Sequence, residues 1–103
     1  MSTERFYQDS PVKTDTAATG TGAVSVTTSN TAIVAANRNR VEVQLQNDHA
    51  TQAVYLSLGG TAVANTGFRL LPAAANTFRT SAYTGAISGI SVGGTSVVLV
   101  TEV

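Results

Sequence analysis

The strict alternation through Arg40–Gln46 constrains this chain more than any other feature. Val41, Val43 and Leu45 fall on one face, and Glu42, Gln44 and Gln46 fall on the other. That period of two marks a strand with one side in a core and one in water. Ala53–Leu58 repeats the pattern, with Val54, Leu56 and Leu58 expected inward and Tyr55 and Ser57 outward. No window places apolar residues at i, i+3, i+4 and i+7 through three turns, so no amphipathic helix is expected. Ala73–Ala75 is short and follows Pro72, and it reads as part of a turn.

Further short β-branched runs lie between turn signals: Ala23–Thr28, Ala32–Ala36, Phe68–Leu71, Thr77–Ala82, Ala86–Val92 and Thr95–Thr101. Asn47–Gln52 reads as a polar hairpin loop joining the two best strands, and the pairs Gly59-Gly60 and Gly93-Gly94 read as tight hairpin turns. Strands at this spacing predict an all-β fold, a compact antiparallel β-sandwich or small barrel of about seven to eight strands. With 103 residues the chain holds one such domain, placed at residues 23–103. Residues 1–22 carry five of the twelve charges and show no apolar period. They read as an extended N-terminal arm ending in a Thr/Ala/Gly linker.

Val97, Val98, Leu99 and Val100 are apolar at consecutive positions. Because side chains alternate along a strand, either both faces of this strand are covered within the domain or its outer set meets a partner subunit. Charged residues make up only 12% of the chain and the formal net charge is zero, against roughly 25% charged residues in an ordinary soluble domain. Two readings fit: a surface simply rich in Ser, Thr and Asn, or one suited to an assembly, since no net repulsion keeps copies apart. No basic stripe is present to displace counterions from nucleic acid or to meet an anionic membrane. Met1–Thr16 lacks the apolar core of a secretory leader, so a soluble protein made in a cytosol is expected.

Reactive chemistry has little to stand on. The chain has no cysteine and one histidine, His49, in Asn47-Asp48-His49-Ala50, where it reads as a solvated turn residue. A catalytic triad needs a base held between a nucleophile and a carboxylate, and the adjacency of Asp48 to His49 in sequence is no evidence of such a contact. Glu42, Asp48 and Glu102 are the acids of the domain, and their spacing suits neither a metal nor paired-carboxylate catalysis. No phosphate-binding loop follows Gly20-Thr21-Gly22. The sequence therefore predicts no catalytic residue, no metal, no cofactor and no small-molecule substrate. Partner-binding candidates are the adjacent aromatics Phe6 and Tyr7 in the arm, because aromatic side chains bury much area at small entropic cost. Arg38 and Arg40 are added, either as a small basic patch with Arg69 and Arg79 or as separately solvated side chains. Tyr55 and Tyr83 are the side chains that would stack on a sugar if the domain were a carbohydrate-binding module.

Several segments carry a resemblance. Arg40 precedes a strand ending in Gln46-Asn47; Val54-Tyr55-Leu56, Gly67-Phe68-Arg69-Leu70-Leu71-Pro72 and Gly94-Thr95 follow in order. Across Asn37–Val103 this series resembles small virion structural proteins of tailed bacteriophages, of the capsid decoration (cement) type. Ala73 stands where that pattern has glycine after the proline. The resemblance implies a protein on the capsid exterior, made in the host cytoplasm, partnered by the major capsid protein or other virion subunits. It also implies a homo-oligomer, a trimer first, with the terminal arm clasping neighbours. A head-fibre base, neck or tail component is the alternative within the same class.

Overall fold

The structure is a computed structural model that describes residues 20–103. Phe6 and Tyr7, and all of the expected arm except its last three residues, lie outside the described residues. Eight strands form: β1 (Gly20–Val26), β2 (Thr31–Val34), β3 (Val43–Asn47), β4 (Val54–Leu58), β5 (Phe68–Leu70), β6 (Thr77–Thr80), β7 (Ile87–Ser91) and β8 (Ser96–Glu102). One 3₁₀ turn, Pro72–Ala74, lies between β5 and β6. Each expected strand is present. Gly20-Thr21-Gly22, expected to be linker, instead opens β1, because each of its residues pairs with β8, from Gly20 opposite Glu102 to Gly22 opposite Val100.

The strands make two four-stranded antiparallel sheets packed face to face. The β1 sheet runs β1-β8-β3-β6 and the β2 sheet runs β2-β7-β4-β5. The open choice between sandwich and barrel thus resolves to a sandwich. This strand order is that of a jelly roll, in which the chain passes repeatedly from one sheet to the other. Only β4 and β5 are neighbours both in sequence and in a sheet.

That topology corrects two expectations. Asn47–Gln52 is not a hairpin loop: β3 and β4 belong to different sheets, and the segment crosses between them. Gly93-Gly94 also carries the chain from one sheet to the other, while Gly59-Gly60 opens the long loop between β4 and β5. In each pair only the first glycine takes a left-handed φ, +86° at Gly59 and +102° at Gly93.

The core is the inward set of both sheets: Val26, Ile33, Val34, Val43, Leu45, Val54, Leu56, Leu70, Ile87 and Val98. The alternation of β3 and β4 holds at Val43, Leu45, Val54 and Leu56, which are essentially fully buried. It fails at the ends, where Val41 precedes the strand and Leu58 closes it, and both are exposed. Ile33 and Val34 are consecutive yet both buried, because the β2–β7 register slips between Ala32 and Val34. The bulge supplies an extra residue that breaks the two-residue period.

The sandwich has two unlike seams. Where β5 faces β6, Phe68 and Phe78 meet edge to face with ring centroids 5.0 Å apart. Where β1 faces β2, a groove of about 270 Å³ opens, lined among others by Val24, Ile33, Val34 and Val100. A side chain at Gly22 would meet nothing within 4 Å, so the groove sits where β1 lacks one. No helix among the described residues is long and apolar enough to cross a membrane.

Candidate interaction surface

Of the four arginines of the domain, Arg40 has the fewest choices. It enters just before β3 and its side chain is fully buried. A guanidinium in that position must place its donors within the protein. Nε donates to Glu102 Oε2 at 2.8 Å, Nη1 to the carbonyls of Tyr83 and Gly85 at 3.2 and 3.1 Å, and Nη2 to the carbonyl of Ala35 at 2.7 Å. Glu102 is in the β1 sheet, Ala35 follows β2 and Gly85 precedes β7, so one side chain ties both sheets together at this end. The placement of Arg40 in a surface patch is therefore corrected: its planar head serves the fold.

The other arginines do not gather either. Arg79 pairs with Glu42 on the outer face of the β1 sheet, while Arg69 is exposed on β5 of the other sheet. Arg38 is exposed in the turn leading to Arg40. Near it the chain forms an apolar end. Val41 N–H donates to the carbonyl of Val103 at 2.7 Å, and Val103 N–H donates back to Glu42 at 3.0 Å. Val41 and Val103 are both about half exposed. Gly20 lies opposite Glu102, so the chain enters the domain beside this exposed valine pair.

The histidine has a structural task. His49 Nδ1 accepts the N–H groups of Thr51 and Gln52, each at 3.0 Å, and its carbonyl accepts Ala73 N–H at 2.6 Å. His49 is half-buried and holds the crossing loop in shape, in place of the solvated turn residue expected. Beside it Asn47, fully buried, donates through Nδ2 to the carbonyls of Gln52 and Leu70 at 2.6 and 3.2 Å and accepts His49 N–H at 3.0 Å. Ser91 and Ser96, also buried, share a hydrogen bond at 2.9 Å. Neither Asn47 nor the serine pair was singled out from sequence as more than turn or strand residues. The signal for Asn47 was its position: it continues the inward series Val43, Leu45.

On the outer face of the β1 sheet, β8 presents Val97, 37% exposed, and half-buried Leu99. Leu99 lies between Ala23 of β1 and Gln46 of β3. The consecutive apolar run of β8 is thus explained in halves. Val98 and Val100 pack on the core, whereas Val97 and Leu99 are not part of it, Val97 being exposed and Leu99 half-buried. Their cross-strand neighbours are Ser25 and Ala23 of β1, with Gln46 of β3 beside Leu99. No group of three or more metal-ligating side chains forms among the described residues. The chain matches no protein-family model, no curated protein and no solved structure.

Proposed function

We propose that this chain is a decoration protein of a bacteriophage head. The jelly-roll domain rests on the outside of the shell, and the segment before Gly20 reaches across neighbouring subunits with Phe6 and Tyr7 as anchors. One observation carries the reading: the chain enters beside an exposed apolar end, Val41 and Val103 with Arg38 close by in sequence, on a body whose reactive side chains are engaged internally. Arg40, Asn47, Ser91 and Ser96 spend their polar groups on the fold, as does Nδ1 of His49. What faces outward carries few charges: Arg38 and Arg69 are exposed, and Arg79 is paired with Glu42. Bridging several subunits at once stabilises a shell without any strong single contact.

The topology supports the reading by analogy only, since jelly rolls serve in capsids and in lectins alike. Against a sugar-binding role, the Tyr83 hydroxyl already donates to the carbonyl of Ala86 at 2.9 Å and the ring packs on the core.

The test is localisation followed by substitution. Antibodies to the purified chain should label the whole head of particles that carry it. Label at one vertex or along the tail would assign it to a fibre base, neck or tail instead, and absence from purified particles would end the proposal. In the full chain, replacing Phe6 and Tyr7 together by Ala should abolish binding to undecorated heads and leave thermal unfolding unchanged.

A further inference from the structure

We propose that the open edge of β1 is a self-association surface, on which a second copy of this chain pairs its own β1 antiparallel about a two-fold axis at Ala23. The inference goes beyond the virion reading and does not depend on it.

A sandwich of two open sheets has four edge strands, and exposed edges invite pairing unless they are short, bulged or charged. Three edges here are managed in those ways. β2 has four residues and a bulge at Ile33. β5 has three residues and carries Arg69, and β6 has four and carries Arg79. β1 differs: seven residues, Gly-Thr-Gly-Ala-Val-Ser-Val, with continuous register against β8 and neither a charge nor a proline. Among the described residues no hydrogen bond reaches its backbone from the open side.

The strand is also complementary to itself. Its inward face reads Gly20, Gly22, Val24, Val26, two positions without side chains followed by two with them. Antiparallel pairing about Ala23 sets Gly22 opposite Val24 of the second copy and Gly20 opposite Val26. Residues directly opposite in such a pair share a face and stand about 4.5–5.5 Å apart. Val24 of each copy then faces the space that Gly22 leaves open in the other, where the groove over Ile33, Val34 and Val100 lies. On the outward face Thr21 meets Ser25 of the second copy, a favourable hydroxyl pair.

Charge favours the same choice. A two-fold contact brings each charge near its own copy, and β1 has none, whereas the same contact through β5 or β6 would oppose arginines. Nineteen residues precede Gly20, and the pairing starts each copy's preceding segment alongside Val26 of the other.

The full chain at micromolar concentration should therefore sediment at twice its own mass. Ala23→Lys places two ammonium groups face to face on the axis, at an exposed position of the fold, and should give single-chain mass with cooperative unfolding retained. Ala23→Glu should do the same, and an equal mixture of the two variants should recover the doubled mass. Ala23→Cys, in a chain with no other cysteine, should oxidise to a covalent dimer, whereas Ser29→Cys, off the edge, should not. Should Ala23→Lys fail to fold, the cysteine pair decides alone. A wild-type chain of single-chain mass, including one whose own first residues cover the edge, overturns the proposal, as does Ala23→Lys at doubled mass.

Discussion

Arg40 Nε donates to Glu102 Oε2 at 2.8 Å across the end of the sandwich, joining the approach to β3 with the last residue of β8. Arg40→Ala leaves a carboxylate without its partner and three carbonyls without donors. Breaking a buried pair from one side costs about 3–5 kcal/mol, a large share of the roughly 5–15 kcal/mol that holds a domain folded. Urea unfolding should show a midpoint moved by that amount or no cooperative transition. Glu102→Gln keeps an acceptor for Nε but removes the counter-charge of a buried guanidinium, so it too should be destabilising, by up to about 3–5 kcal/mol.

Asn47 is held by two donated bonds and one accepted bond, all to backbone. Asn47→Ala should destabilise by about 2–4 kcal/mol, because buried backbone groups lose their partners. Asn47→Asp at neutral pH should cost more, since it sets a carboxylate against the carbonyls of Gln52 and Leu70. Equal unfolding midpoints for the two variants would contradict this account of the site.

Ala73 has φ +58° and ψ +31°, a left-handed conformation, and is exposed. An L-residue there costs about 1–2 kcal/mol, and glycine returns part of that gain through its freer unfolded chain. Ala73→Gly should raise stability by about 0.5–1 kcal/mol, a melting temperature higher by roughly 2–8 °C. Calorimetry reads this directly, and a lower melting point would contradict the assigned backbone strain.

Phe68 and Phe78 close one seam with their planes at 64°. Phe78 packs on the core and Phe68 is 38% exposed. Phe78→Ala should therefore cost about 2–3 kcal/mol and Phe68→Ala about 1 kcal/mol, scaled from full burial of a large side chain. A double-mutant cycle should find about 0.5–1.5 kcal/mol of coupling between them.

The strands were legible because each announces itself locally. Val43–Leu45 and Val54–Leu56 alternate, and β-branched residues fill the rest. Which strands pair was not legible, since Asn47–Gln52 looks the same whether it turns back within a sheet or crosses to the other. The Arg40–Glu102 pair escaped notice because its members are 62 residues apart, and sequence shows an arginine's charge but not its depth. Asn47 was misjudged for a related reason: amides are common in turns, and only the packed structure reveals one buried to satisfy crossing backbones. The place where the chain enters the domain was misjudged by three residues, since Gly20-Thr21-Gly22 has linker composition and gains its strand geometry from β8.

The position of β8 has a consequence for how the chain acquires its shape. It is the last strand in chain order, yet it stands between β1 and β3. Without it, β1 has no partner and only the β3–β6 pair survives in that layer. A nascent chain emerging from the ribosome cannot assemble this layer until residues 96–102 have been made. Closure must bring together segments separated by most of the sequence, and such non-local topologies fold in milliseconds to seconds rather than microseconds. Until that moment β1, neutral and unpaired, waits at the opposite end of the polypeptide.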